Sequence, residues 1–268
     1  MRVAIPGGEL HVEERGEGFP LLLVQGLGYA VWAWRFQLEG LGERLHVFAF
    51  DNRGTGRSFK PPGPYSIEQL ADEAAALLDA LGIERAHVLG HSMGGYISQT
   101  LALRRPDLVR SLVLSGTGPG APTHEPIPGD TLRQWLAHAN LPPEDYVRRT
   151  MHLSFARDWP EANAVLWEEL IRARLEFPTL PEAWRAQFDA CVRFVEEGSE
   201  IERISAPTLV LHGDDDRVVP VSNGRALAQR IPGAELVERP GHGHNLMLED
   251  AETFNRLVLR FLEQVGED

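Results

Sequence analysis

Along its first 117 residues the chain alternates short apolar runs with amphipathic ones. Leu21-Leu22-Leu23-Val24 and Val47-Phe48-Ala49-Phe50 are unbroken hydrophobic runs, closed by Gln25-Gly26 and by Asp51-Asn52-Arg53-Gly54. That is the pattern of strands buried on both faces of a parallel sheet. Over residues 66–81, Ile67, Leu70, Ala74, Leu77, Leu78 and Leu81 recur at helical spacing, with Ser66 placed to cap the helix and Gly82 to stop it. A strand over 86–89, an apolar helix through Leu103 and a strand over 111–114 follow. This rhythm predicts an α/β fold with a mostly parallel central sheet of about eight strands flanked by helices.

After Gly116 the rhythm breaks. Residues 118–128 contain four prolines, and 130–198 read as helical with no strand. Trp184, Phe188, Cys191 and Val195 fall at i, i+4, i+7 and i+11, one apolar stripe, and the region holds Trp135, Trp159, Trp167 and Trp184, four of the six tryptophans. Aromatics of this kind first of all pack an insertion onto its core; as a group they suggest an apolar roof, with Trp135, Trp159 and Trp184 as candidate substrate contacts. At Pro207 the alternation resumes with Thr208-Leu209-Val210-Leu211-His212-Gly213, a helix over 221–231, a strand over 235–238 and a helix over 251–265. The expected organisation is one α/β core, residues 1–117 and 206–268, interrupted by a helical cap at 118–205. A length of 268 residues, well above the ~150 used as a prior for one domain, fits a domain with an insertion.

Charge narrows the partners. The net of −13 repels phosphate backbones and anionic lipid, so neither nucleic acid nor a membrane is expected to bind. Cys191 is the one cysteine; it excludes an intramolecular disulfide and a multi-thiolate metal site, and is expected to be a buried filler. No apolar run of signal-peptide or membrane-span length is present, and the chain is expected to be cytoplasmic.

The candidate chemistry begins at Gly90-His91-Ser92-Met93-Gly94, a G-x-S-x-G between a predicted strand and a predicted helix. A turn that tight projects the serine hydroxyl from the sheet edge and sets it at a helix N-terminus, where backbone N–H groups favour developing negative charge. Serine needs a base and a group to orient it. Carboxylates stand in Gly213-Asp214-Asp215-Asp216-Arg217-Val218-Val219-Pro220, and histidines in Gly241-His242-Gly243-His244, each after a predicted strand on the same sheet edge. His242 and His244 could also begin a metal site, but no third-ligand pattern accompanies them, so no metal is expected. Gly26-Leu27-Gly28 lacks the third glycine of a dinucleotide fingerprint, Val31 standing there, and no cofactor is expected.

With these motifs the chain resembles the α/β-hydrolase superfamily, in its cap-bearing branch of esterases, 3-oxoadipate enol-lactonase-like proteins, C–C hydrolases and perhydrolases. The resemblance covers nearly everything outside the insertion. It is carried by Leu22-Leu23-Val24-Gln25-Gly26-Leu27-Gly28, by Phe50-Asp51-Asn52-Arg53-Gly54-Thr55-Gly56-Arg57-Ser58, by the serine turn, by the Gly213 loop, and by Gly243-His244 with Glu249 five residues on. It implies Ser92 as nucleophile, Asp216 rather than Asp214 or Asp215 as the acid, and His244 rather than His242 as the base. It also implies an oxyanion hole from the backbone N–H groups of Leu27 and Met93, with Gln25 and Gly26 beside the substrate; Gln25 stands where many relatives carry histidine. Asp51 and Arg53 are expected to brace their loop. The implied activity is hydrolysis of a small-molecule carboxylic ester or lactone through an acyl-enzyme. Enol-lactone hydrolysis, C–C bond hydrolysis and metal-free perhydrolysis are alternatives, and a non-catalytic small-ligand receptor is an alternative of another class. An acidic substrate would call for a cation, and Arg148, Arg149, Arg172, Arg174, Arg185 and Arg193 lie in the insertion, though each reads first as a solvated surface arginine. Serine at 92 departs from the dehalogenase and epoxide hydrolase branches, which attack with aspartate. Monomer and homodimer are both compatible with the sequence.

Overall fold

A computed structural model describes residues 1–266 of the chain; positions 267 and 268 of the expected core segment lie outside it. Eight strands form one sheet among the described residues: β1 (Arg2–Ile5), β2 (Gly8–Arg15), β3 (Pro20–Val24), β4 (His46–Phe50), β5 (Ala86–His91), β6 (Val109–Ser115), β7 (Thr208–Gly213) and β8 (Glu235–Arg239). They lie in the order β1-β2-β4-β3-β5-β6-β7-β8. β1 pairs antiparallel with β2 and β2 with β4, and all other neighbours are parallel.

The helices of the first half are α1 (Arg35–Leu41), α2 (Ile67–Ala80) and α3 (Met93–Arg104). Between β6 and β7 come α4 (Gly129–His138), α5 (Pro143–Thr150), α6 (Trp159–Ala162), α7 (Ala164–Glu176) and α8 (Pro181–Glu197), and no strand. The chain closes with α9 (Val221–Arg230), α10 (Leu246–Glu249) and α11 (Ala251–Val265). Alternate strand residues point to opposite faces. Leu22, Val24, Phe48, Phe50, Val88, Leu112 and Leu114 share one core with apolar side chains of α2 and α3. Leu21, Leu23, Val47, Ala49, Leu89 and Val113 share the other with those of α1, α10 and α11. Both faces are therefore covered, which is why these strands read as continuous apolar runs.

β5 and β6 are longer than the apolar pattern predicts. The added positions include His91 and Ser115, which pair in register at the end of the ladder, and the buried His87 Nδ1 lies 2.8 Å from Ser111 Oγ. At the ends of these strands buried polar side chains interrupt the hydrophobic run while the backbone ladder continues through them. At α2 the Ser66 hydroxyl accepts the Gln69 N–H at 3.2 Å, a serine cap on the first turn. No helix among the described residues is long and apolar enough to cross a membrane.

The loop after β4 is built on two buried acids. Asp51 accepts the Val31 N–H at 2.7 Å and the Arg57 N–H at 2.8 Å, tying its own loop to the segment after β3. Arg53 pairs with Glu73 of α2, both buried, and its guanidinium lies 5.1 Å from the Phe59 ring centre and 5.3 Å from that of Tyr65. Removing one member strands the other's charge in an apolar setting. Glu73→Ala is accordingly expected to lower unfolding free energy by about 3–5 kcal/mol, and replacing Arg53 and Glu73 together by Met and Leu to cost less than that single change, both read from urea denaturation midpoints.

Candidate active site

Ser92 joins β5 to α3 with φ 55° and ψ −121°, and it is the only non-glycine residue with positive φ among the described residues. The glycines two positions either side explain how the turn closes. A Cβ at Gly94 would lie 2.0 Å from the Val24 carbonyl oxygen, and one at Gly90 would lie 2.3 Å from that of Gly94. Helix and strands meet backbone to backbone, so the serine sits in strained geometry at the sheet edge.

The loop after β7 carries Asp216, whose side chain is fully buried. Its Oδ1 accepts the N–H groups of Val218 and Val219, each at 2.8 Å. Its Oδ2 lies 2.8 Å from His244 Nδ1 and 3.3 Å from His212 Nε2. Burial alone would push this carboxyl up, but the His244 charge and the hydrogen bonds from His212 and His244 hold it well below the usual carboxylate range. His212 is a partner the sequence reading missed; the available signal was a polar residue inside the apolar β7 run, four positions before Asp216. Asp214 instead accepts the Gly241 N–H at 2.6 Å and Asp215 the Arg157 N–H at 3.2 Å. His242 turns to Pro240 O, 2.8 Å away, and no group of residues suited to a metal ion occurs among those described.

His244 and Ser92 line one small cavity. Ser92 Oγ makes no hydrogen bond to the imidazole, a contact that tightens in active sites when substrate engages. The buried His91 ring lies 4.6 Å from that of His244. Burial first, and then the His244 charge, push His91 well below the usual histidine range.

The N–H groups of Leu27 and Met93 have no partner among the described residues, and both residues line a cavity at Ser92. Gln25 is corrected: it is wholly buried, its Oε1 accepts the Gly26 N–H at 2.7 Å, and its backbone carbonyl takes Asn52 Nδ2 at 2.9 Å. It braces the loop from behind and lines no cavity at Ser92, whereas Gly26 does. From α8, the buried Gln187 accepts the Gly28 N–H and donates to the Arg53 carbonyl, both at 2.9 Å.

Two unequal chambers meet at Ser92. One, of about 360 Å³, is mostly apolar, with Leu132, Trp135, Phe188 and Val218 in its wall beside His124 and Glu196. The other is small and the more polar of the two, and brings Tyr29, Arg174, Trp184 and Asn245 around Ser92 and His244. Trp135 lines both chambers and Trp184 the smaller one. Trp159 lines neither: it stacks on Phe155 at 4.9 Å and donates from Nε1 to the Glu249 carbonyl at 3.3 Å. Cys191 is half-buried in the wall of the apolar chamber rather than fully buried as expected. Arg174 is also corrected. It is 8% exposed, its guanidinium lies 4.3 Å from the Tyr29 ring centre, and it has no carboxylate partner among the described residues. Helical periodicity cannot show which arginine turns inward.

A family model described as the alpha/beta hydrolase fold matches residues 20–251. A protein of Caulobacter segnis named "Putative carbamate hydrolase RutD" is 35% identical over 91% of this chain and 91% of its own. The enol-lactonase of Burkholderia xenovorans LB400 superposes with a TM-score of 0.86 at 28% identity, covering 98% of this chain and 100% of that one. A malate-bound esterase of Thermogutta terrifontis does so at 0.84 and 26%, over 100% and 99%.

Gln187 spans the Gly28 and Arg53 backbone groups with one side chain. Gln187→Leu leaves both buried groups unpaired, and is expected to cost about 2–4 kcal/mol of stability, measurable by urea denaturation against the wild-type chain.

Proposed function

The chain belongs to the α/β-hydrolase fold family, and on that premise we propose that it is a serine hydrolase cleaving a carboxylic ester or lactone through an acyl-enzyme. The observation that carries this reading is the hydrogen bond of 2.8 Å from His244 to a buried Asp216, on the cavity that also receives the strained Ser92. Asp216 accepts from Nδ1 and so leaves Nε2 of His244 as the basic nitrogen. Ser92 Oγ attacks the carbonyl as Nε2 takes its proton, and the tetrahedral oxyanion rests on the N–H groups of Leu27 and Met93. His244 then protonates the leaving oxygen and activates the water that releases the acid. Lactone, ester and carbamate carbonyls all admit this sequence, and the similar proteins carry names from each class.

Arg174 favours an acidic substrate. A buried guanidinium without a carboxylate is costly, by several kcal/mol, and an anionic group in the polar chamber would remove that cost. The similar esterase structure holds malate, itself a dicarboxylate. The substrate this site fits is a small amphiphilic anion, its apolar part in the larger chamber.

Two measurements test the reading. A fluorophosphonate is expected to add one equivalent to the intact mass, with no adduct on Ser92→Ala; labelling that persists in the variant rules out Ser92 as nucleophile. Arg174→Gln is expected to lower the ratio of kcat/KM for p-nitrophenyl hemisuccinate to that for p-nitrophenyl butyrate by about tenfold or more, the ~1.4 kcal/mol or greater of a charge-assisted contact. An unchanged ratio rules out the anion assignment and leaves the serine mechanism standing.

A further inference from the structure

The segment between α5 and α6 passes over the loops that carry the acid and the base. Both peptide neighbours of His244 are tied there or to Glu249. The Gly243 N–H donates to Glu249 Oε2 at 2.9 Å, and the Asn245 N–H donates to the Ser154 carbonyl at 3.0 Å. Glu249 Oε1 accepts the Ala156 N–H at 3.0 Å, so one carboxylate joins the His244 loop to the overlying segment. The approach is close: a Cβ at Gly243 would lie 2.4 Å from Ala156 N and 2.5 Å from the Phe155 carbonyl carbon. This gives the glycine before His244 a physical reason, because any side chain there would lift the segment away. The acid loop is held by the same segment, Arg217 donating to the carbonyls of His152 and Phe155 at 2.9 and 2.8 Å.

We propose that Glu249 is a positioning residue, whose carboxylate locks the His244 loop to the helical insertion and so keeps the imidazole in register with Ser92. The inference rests on the reading of His244 as base. Burial pushes the Glu249 carboxyl up to about 7; the Gly243 and Ala156 N–H groups pull it down, and the charges of Asp216 and Asp215 push it further up. Arg217, which feels the Glu249 charge, is the cation of the facing loop. Held by one N–H from each of the two segments, Glu249 is not a free surface carboxylate. In Glu249→Gln the amide oxygen can serve one N–H, but the amide nitrogen faces the other, so the two segments are no longer fixed to each other.

The test uses the full chain and a p-nitrophenyl ester. Glu249→Gln is expected to lower kcat by about 10- to 100-fold, the effect of a misplacement on the order of 1 Å, with KM within about threefold, and to slow fluorophosphonate inactivation in the same proportion. A folded variant whose kcat and inactivation rate match wild type, or whose whole loss lies in KM, overturns the proposal. If the variant fails to fold, hydrogen exchange on the wild type decides. Peptides covering 152–158 and 241–245 should exchange at one common rate, and exchange of the first while the second stays protected overturns the lock. Wild-type protein that is not labelled at Ser92 instead overturns the serine-hydrolase reading itself.

Discussion

The end of β3 and the first turn of α3 meet with no room for a side chain between them, and the geometry of the site follows from that contact. With the Val24 carbonyl where a Cβ at Gly94 would be, the chain can pass from β5 into α3 only through a compressed turn. Ser92 absorbs the compression with a backbone conformation that L-residues rarely adopt, at a cost of order 1–3 kcal/mol. The turn cannot relax, because the Ser92 N–H is held by the Ser115 carbonyl at 2.9 Å and β5 is paired on both sides. The same crossing leaves the Met93 N–H free at the helix start and brings the Leu27 loop beside it. The proposed nucleophile and the proposed oxyanion donors are thus one backbone solution and not separate acquisitions.

Much of this was legible in the sequence, and the reasons differ by residue. β3, β4, α2 and α11 were readable because burial on both sheet faces or one helix face writes itself as periodicity. Ser92 was readable because its turn demands glycines at fixed offsets. Spacing left three aspartates and two histidines open, and only the family resemblance singled out Asp216 and His244, the two that are hydrogen-bonded to each other here. His212, Gln187 and Arg174 were not legible. Each is a polar side chain on a regular element whose importance comes from what packs against it, and a helix or strand pattern carries no information on its neighbour's identity. Gln25, Trp159 and Cys191 were misjudged for the same reason: residue type suggested the kind of contact, and tertiary packing decided with whom.

The helices between β6 and β7 do more than cover the site. Gln187 reaches down to the loop after β3 and the loop after β4, while the segment before α6 reaches the loops after β7 and β8. Four loops that leave the sheet separately are therefore cross-braced by one insertion. The braces are largely side chain to backbone, which fixes loop position while leaving the chamber-lining side chains free to vary in kind.

The apolar chamber places a thiol and a hydroxyl along the same wall, since Cys191 and Ser92 both face it. Intrinsically the sulfur is the better nucleophile, yet burial pushes the Cys191 thiol up to about 12, which keeps it protonated. An electrophilic carbonyl entering this chamber thus meets two potential acyl acceptors, of which the proposed mechanism arms only Ser92. On that mechanism the chemoselectivity of oxygen over sulfur is set by solvation and proton transfer, against the order that free amino acids would follow.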